Sequence, residues 1–179
     1  AHRRTMIKHG WSKLFNVDIL DAEGPDLELP IPNGKRIQKN LVGKDIKNYD
    51  SMLVLSHFKG HPMGGFGGAL KQLSIGCASS AGKANIHGAG KPEEMWTTEQ
   101  NAFLESMADA AESVVKLFDG KIVYINVMKN MSVDCDCCAV AEDPCMKDIG
   151  ILASLDPIAI DQACLDLVYA SDDPGRDHL

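Results

Sequence analysis

Four cysteines stand close together in one short stretch of the sequence. Thiolates are soft ligands that bind zinc, copper or iron–sulfur clusters, and a thiolate is also a nucleophile. Structural zinc sites favour two to four residues between cysteines, whereas Cys135 and Cys137 are separated by one residue and Cys137 and Cys138 by none. The spacing predicts that two or three of the four bind one metal, with ligands from elsewhere completing the site. The clustered cysteines are Cys135, Cys137, Cys138 and Cys145.

Two histidines in a second segment are the candidates for the remaining ligands. His57 and His61 follow Ser51–Ser56, an apolar run with the length of a buried strand. Imidazole and thiolate are compatible ligands, and a carboxylate often holds a ligating imidazole through its other nitrogen. The predicted cofactor is therefore an iron–sulfur cluster or a transition metal such as zinc. The residues predicted to support its ligands are Asp134, Asp136, Cys77 and His87.

A run of glycines follows the histidines and precedes a predicted helix at Ala69–Leu73. Glycines before a helix let backbone amides approach an anion, which the helix dipole favours. The run is not a dinucleotide fingerprint, because its sixth position is Leu70, and Gly82-Lys83 lacks the Ser or Thr of a phosphate loop. A phosphate or carboxylate site and an ordinary tight turn both stay open. The predicted anion-binding residues are Lys59, Gly65, Gly67, Gly68 and Lys83.

Strands that alternate with helices must position these residues. The clearest helix is Thr97–Phe118, with one apolar face, and a second helix begins at Pro157 with Asp156 as its cap. Asp161 is predicted to be exposed in the first turn of that helix. The alternation predicts an α/β fold with a mainly parallel sheet and helices packed on its faces. The predicted strands are Phe15–Leu20, Ser51–Ser56, Lys121–Met128 and Asp148–Ser154, and Gly24–Gly34 is predicted to be a loop.

The predicted sheet places the unusual residues at one edge. Ligands of parallel sheets bind beyond the carboxyl ends of the strands. His57 follows the second strand, Cys135 follows the third by a few residues, and Ser154 and Asp156 end the last. We therefore expect the Cys135 loop and the His57 segment to meet in a single site.

Length and charge exclude several classes of protein. The 179 residues fit one domain, predicted as a single α/β domain over residues 1–170 with a frayed polar tail over 171–179. The opening helix-like stretch, Thr5–Phe15, predicts that an N-terminal portion is missing. A net charge of −7 argues against nonspecific nucleic-acid binding, and no apolar run approaches the roughly 20 residues of a membrane span. Clustered cysteines argue against a secreted disulfide framework, so we expect a cytoplasmic protein with a small-molecule or redox partner, whose oligomeric state stays open.

Three long blocks of the sequence carry a family resemblance: Ser56–Lys83, Asp134–Cys137 and Asp148–Val168. Together they resemble the uncharacterised family catalogued as domain of unknown function 362, whose members are often described as iron–sulfur-centre proteins. The resemblance runs from about Arg3 to Tyr169 and implies that members normally carry more sequence before Arg3.

The chain departs from this family pattern in one respect. Many relatives carry a ferredoxin-like insert, with repeated Cys-x-x-Cys motifs, after the segment that matches His87–Pro92. Here Lys91-Pro92 runs almost directly into the helix predicted from Thr97. Electron transfer through ferredoxin clusters is therefore not implied for this chain.

Three functions remain open at this point. The first is a metal- or iron–sulfur-associated protein acting in redox chemistry. The second is an enzyme that uses the thiolate of Cys135 or Cys137 with His57 or His61 as its base. The third is a binding domain for an anionic small molecule at the Gly65–Gly68 turn.

Overall fold

The computed structural model describes residues 2–179, which form three small sheets and the helices around them. The α-helices α1 to α5 are His2–Lys8, Ala69–Lys71, Ser80–His87, Gln100–Phe118 and Pro157–Ala170. A π-helical turn, Gln72–Gly76, continues α2. The strands β1 to β7 are Leu27–Pro30, Lys39–Val42, Met52–His57, Lys59–His61, Gly65–Gly67, Ile122–Met128 and Gly150–Ser154.

The central sheet has the strand order β3-β6-β7. Strand β3 pairs with β6 in parallel, whereas β7 pairs with β6 antiparallel, and the two remaining sheets are antiparallel pairs, β1-β2 and β4-β5. The α/β class is confirmed, but the predicted mainly parallel sheet is not. The physical reason lies in the connections: α4 carries the crossover between β3 and β6, whereas the chain between β6 and β7 contains no helix among the described residues. Parallel neighbours need such a crossover, usually a helix.

The direction of β7 changes which residues share an edge of the sheet. Met128 pairs with Gly150, and Tyr124 pairs with Ser154. Ser154 and Asp156 therefore lie away from the edge that carries His57, and the prediction that they join it is wrong. Asp156 is instead the predicted helix cap, with its Oδ1 atom accepting hydrogen bonds from the first backbone amides of α5.

Two local predictions near the N-terminus are wrong. The stretch Phe15–Leu20 forms no strand; it is irregular and follows a 3-10 turn at Trp11–Lys13. Its alternating pattern finds no partner strand, and strand propensity depends on such packing. The predicted loop Gly24–Gly34 contains β1.

The clearest predicted helix begins slightly later than expected. Helix α4 begins after Glu99, which caps it, three residues later than Thr97.

One face of the central sheet packs on helices and the other is exposed. Val54 and Tyr124 lie in the buried core with Val114 of α4 and Ile160 of α5. On the opposite face Leu53 is 56% exposed, together with Leu55, Val123 and Ile151. No helix within residues 2–179 is long and apolar enough to span a bilayer.

The C-terminal tail, which the sequence predicts to be frayed, makes tertiary contacts. It forms a 3-10 turn at Pro174–Asp177. Leu179 packs against the cluster that contains Phe58 and Met128. The tail therefore lies against the strand that leads into the candidate site.

Candidate functional site

The Cys135 loop and the strand β4 lie against each other at the carboxyl edge of β3 and β6. The amide of Gly60 donates a hydrogen bond of 2.9 Å to the carbonyl of Ser132. A Cβ atom at Gly60 would lie 2.6 Å from the carbonyl oxygen of Val133, so only glycine allows the loop to pass this close. The loop is thereby laid beside Lys59 and His61, the residues that flank Gly60.

Cys135 lies at the centre of the contacts that result. Its side chain is buried, and its Sγ atom lies 2.9 Å from Nζ of Lys71 and 2.7 Å from Sγ of Cys137. A hydrogen bond from His61 reaches the same sulfur. Three donors from three parts of the chain therefore converge on one sulfur atom.

The imidazole of His61 is held in one tautomer. Its Nδ1 atom accepts hydrogen bonds from the amides of Met63, at 3.2 Å, and Gly64, at 2.9 Å. Because Nδ1 accepts, the ring proton sits on Nε2, which is the donor toward Cys135. A metal on Nε2 would require the proton to move to Nδ1, where it would face two amide protons. His61 is therefore arranged as a hydrogen-bond donor to sulfur.

These contacts determine the charge of Cys135. Burial alone would raise the pKa of the thiol, but hydrogen bonds from His61, Cys137 and Lys71 outweigh burial and lower the pKa from 9.0 to about 5. The thiol of Cys137 shows the opposite shift: burial, the hydrogen bond to Cys135 and the charge of Cys135 all raise its pKa. The two thiols therefore titrate as a pair, and the directions of their shifts favour the thiolate on Cys135.

The neighbouring residue Asp136 connects the loop to β3 and β4. Its Oδ2 atom accepts a hydrogen bond of 2.6 Å from Lys59, and His57 Nδ1 lies 2.9 Å from its Oδ1. Burial acts to raise the pKa of Asp136, but the hydrogen bonds from Lys59 and His57 lower it overall. The second nitrogen of His57 donates to the carbonyl of Lys129, at 2.8 Å. Both ring nitrogens of His57 thus face acceptors and help to fasten the loop.

A buried carboxylate positions the segment that carries Lys71. Asp161 accepts hydrogen bonds from the amide of Ala69, at 2.7 Å, the amide of Leu70, at 2.9 Å, and the side-chain amide of Asn126, at 2.7 Å. Asp161 is 2% exposed, so the prediction that it is exposed is wrong, because α5 packs against α2. Burial raises the pKa of Asp161, partly offset by these hydrogen bonds.

A cavity of about 580 Å³ opens beside Cys135. Its wall combines nucleophilic and charged side chains, and Asp18 and Asp21 lie on it as well, so both signs of charge are present. Of the residues predicted for the site, the cavity brings together His57, Lys59, Gly67, Gly68, Cys77, Lys83, Cys135, Asp136 and Cys137.

Other predicted residues lie apart from this cavity wall. Cys145 has its Sγ atom 3.5 Å from the carbonyl of Met131. Asp134 accepts a hydrogen bond from the amide of Glu142 within the loop. Cys138 and Gly65 also lie outside the wall. Within residues 2–179, no three side chains among His, Cys, Asp and Glu are placed to hold one metal ion.

Two of the residues predicted to support the metal ligands, His87 and Cys77, have surroundings typical of side chains with a structural role. His87 donates from Nδ1 to the carbonyl of Lys83, at 2.7 Å, and stacks on Phe103, and burial lowers the pKa of its imidazole. Cys77 lines the cavity, but burial raises the pKa of its thiol to about 11, against the opposing charge of Lys83. The Cys77 thiol is therefore not a ready nucleophile, and His87 does not line the cavity.

The chain matches a protein-family model over most of its length. A family model described as Domain of unknown function (DUF362) matches residues 1–166 of the 179. The chain belongs to this family. The DUF362 match includes the β4-β5 hairpin, the Cys135 loop and Asp161, so the whole candidate site lies inside the family's domain. No curated protein and no solved structure matches the chain.

The sequence interpretation missed two residues of this candidate site, Lys71 and Asn126. Lys71 stands three residues after Gly68, and its place directly behind the predicted anion-binding turn is a signal that could have singled it out. Asn126 lies inside an apolar strand, where a buried amide needs partners, and it finds one in Asp161. Nothing in the local pattern pairs Lys71 with Cys135.

Proposed function

We propose that this chain is a thiolate-dependent enzyme in which Cys135 attacks an electrophilic carbon of a small molecule bound in the cavity. The observation that carries the proposal is the 2.9 Å contact between Cys135 Sγ and Lys71 Nζ at the cavity wall. The thiolate is the nucleophilic form of cysteine, and an adjacent cation favours it. The cavity, about 580 Å³, has the size of a ligand pocket, roughly 300–1,000 Å³.

The proposed step uses the groups that surround the sulfur. An electron pair on Cys135 forms a carbon–sulfur bond, and the bond from that carbon to the leaving group breaks with its electron pair. The ammonium of Lys71 supplies a proton to the leaving group. Water or a second nucleophile then displaces the thiolate and returns a proton to Lys71. His61 donates to the sulfur, so its contacts favour a role in stabilising the thiolate over a role as base.

The lysines of the cavity favour a substrate with an anionic group. Lys59 is paired with Asp136 and Lys71 with Cys135. Lys83 has one hydrogen bond, of 2.9 Å, to the carbonyl of Ala78. An ammonium carries three donors, so Lys83 keeps donors for a carboxylate or phosphate. The anion-binding interpretation of the sequence thus becomes the substrate-binding part of this proposal.

An iron–sulfur cluster or a zinc ion receives less support from the same contacts. Among the residues that the structure describes, only Cys135 and Cys137 bring their sulfur atoms together, whereas a structural zinc site needs four ligands. The Nδ1 atom of His61 is already an acceptor for two amides, and the ammonium of Lys71 lies where it would repel a second cation. The described side chains do not fit either group.

Alkylation of the reduced, anaerobically purified protein tests the proposal. Iodoacetamide at pH 6, followed by peptide mass mapping, should modify Cys135 first and stoichiometrically, because only a thiolate reacts quickly at that pH. Cys138→Ser should behave like the unchanged protein and serves as the matched control from the same loop. The proposal is overturned if Cys135 reacts no faster than Cys138 and Cys145. Stoichiometric iron or zinc that is lost in both Cys135→Ser and Cys137→Ser would also overturn it.

A further inference from the structure

The geometry points to a reversible disulfide between Cys135 and Cys137, formed when a hydroperoxide oxidises Cys135 and Cys137 then attacks it. This inference rests on the proposed function, because it needs the thiolate of Cys135. It adds a second role for the site, as a target of oxidation, and it assigns Cys137 as the resolving thiol.

The two sulfur atoms already touch. Cys137 Sγ lies 2.7 Å from Cys135 Sγ, and the amide of Cys137 lies 3.4 Å from the same sulfur. A single residue, Asp136, separates the two cysteines and is fastened by Lys59 and His57. A disulfide bond is roughly 2.05 Å long, so the two sulfur atoms need to approach by less than about 1 Å to bond.

The first step is the oxidation of the thiolate. The sulfur of Cys135 attacks the oxygen of the hydroperoxide that carries hydrogen, forming an S–OH bond, and the O–O bond breaks with its electron pair on the leaving oxygen. The ammonium of Lys71, 2.9 Å from the sulfur, supplies the proton that completes the leaving alcohol or water. Sulfur is oxidised to sulfenic acid and the hydroperoxide is reduced.

The second step is resolution by Cys137. Its sulfur attacks the sulfenic sulfur of Cys135, a sulfur–sulfur bond forms, and the hydroxyl leaves as water with the proton of the Cys137 thiol. The charge of Cys135 is one cause of the raised pKa of Cys137, and oxidation removes that charge. The attack by Cys137 therefore becomes easier only after Cys135 has been oxidised. A dithiol such as a reduced thioredoxin-like protein or dithiothreitol would return both thiols.

The other cysteines of the loop are less well placed for this role. Cys145 directs its sulfur to the carbonyl of Met131, and Cys138 makes no side-chain contact with Cys135 among those of the described residues, although its amide donates to the Cys135 carbonyl at 2.9 Å. Cys137 is exposed, so the resolving thiol is open to solvent while the oxidised one lies at the cavity wall. Disulfide formation would remove the nucleophile from the cavity and switch the proposed enzyme off.

Titration of the reduced chain with hydrogen peroxide tests this inference. After a few equivalents and blocking of the remaining thiols, peptide mass mapping should show the Cys135–Cys137 peptide with two hydrogen atoms lost and no oxygen added. Dithiothreitol should restore both thiols. In Cys137→Ser, a sulfenic acid on Cys135 should persist and react with a cyclic 1,3-dione probe. Cys138→Ser should form the same disulfide as the unchanged protein.

Two results separate this inference from the proposed function. If Cys135 alkylates rapidly at pH 6 but peroxide produces sulfinic acid or a disulfide with another cysteine, the disulfide inference is overturned and the thiolate proposal stands. If Cys135 neither alkylates rapidly nor reacts with peroxide, both are overturned. Because Cys137 is exposed, Cys137→Ser should fold normally, and an unchanged melting temperature verifies that the variant reports on chemistry.

Discussion

Lys71 and Cys135 are 64 positions apart in the sequence, and their Nζ and Sγ atoms lie 2.9 Å apart in the fold. Two different supports hold them there. Asp161 fixes the amides just before Lys71, and Gly60 lets the Cys135 loop pass over β4. The contact therefore depends on packing between α2, α5 and the loop, and removing either support should weaken it.

Replacing Lys71 with Met should raise the pKa of the Cys135 thiol. Met has a similar length but no charge, so the sulfur loses both a cation and a hydrogen bond. At pH 6, a rise of one unit from a pKa of about 5 lowers the thiolate fraction about twofold, and a rise of two units lowers it about tenfold. We expect alkylation of Cys135 at pH 6 to slow by about twofold to tenfold. Lys71→Arg, which keeps the charge, should lose much less, and an equal loss in both variants would show that the charge is not the cause.

Alkylation of Cys135 should follow an unusually acidic titration curve. The pKa of about 5 predicts that the rate rises between pH 4 and 6 and is nearly constant by pH 7. An ordinary cysteine, with a pKa of about 8.5, would still be gaining rate at pH 8. A stopped-flow or mass-spectrometric pH profile of the unchanged protein, with Cys135→Ser as the blank, measures this. A midpoint above pH 8 would contradict it.

The same shift links stability to pH. Because the pKa of Cys135 is lower in the folded chain than in the unfolded chain, the thiolate stabilises the fold above the unfolded pKa. That contribution falls progressively as the pH drops and is lost below the folded pKa of about 5. The difference in melting temperature between the unchanged protein and Cys135→Ser should therefore shrink from pH 8 to pH 4. A difference that does not change with pH would show that packing alone accounts for it.

Asp161→Ala should destabilise the chain by about 3 kcal/mol, because it leaves the amides of Ala69 and Leu70 and the side chain of Asn126 without their acceptor. Asp166, which is exposed on the same helix, provides the matched control: Asp166→Ala should cost less than about 0.5 kcal/mol. Urea unfolding of the two variants gives the comparison. Equal losses would mean that the Asp161 contacts contribute little.

The local patterns of the sequence predict the helices better than the sheet. The capping of α5 by Asp156 and the apolar face of α4 depend on near neighbours, which sequence spacing reveals directly. The antiparallel entry of β7 depends on the path of a long connection that has no periodic pattern. Asp161 was misjudged for the same kind of reason, because its burial comes from the packing of α2, which no spacing within α5 discloses.

The sequence likewise predicts one part of the candidate site and not another. The prediction that the Cys135 loop and the His57 segment meet follows from two strands that are indeed parallel neighbours, and the contact of His57 with Asp136 confirms it. The metal ligand set stays a prediction. The contacts of the described residues support it less than they support a thiolate at Cys135. Sequence spacing could not predict Lys71 as the partner of Cys135, because Lys71 lies on a helix that follows a separate two-stranded sheet.

Replacing Gly68 and, separately, Gly65 with alanine should distinguish loss of the support that positions Lys71 from ordinary backbone strain in a turn. A Cβ atom at Gly68 would lie 2.8 Å from Cγ of Asp161, so the carboxylate must move away from the amides that it holds. Gly65 has open space around it and a φ of +74°, so alanine there costs only the conformational strain, about 1 kcal/mol. We expect Gly68→Ala to cost about 3 kcal/mol of stability, from overpacking and the lost hydrogen bonds.

The two variants should differ more sharply in the chemistry of Cys135. When Asp161 is displaced, the start of α2 is no longer fixed and Lys71 loses its position against the sulfur. Gly68→Ala should therefore slow alkylation of Cys135 at pH 6, as Lys71→Met does, whereas Gly65→Ala should leave the rate unchanged. Rates are compared below the melting temperature of each variant, so that unfolding does not contribute. Equal rates in both variants would show that Asp161 does not act through Lys71, and the contact would then be held by the Cys135 loop alone.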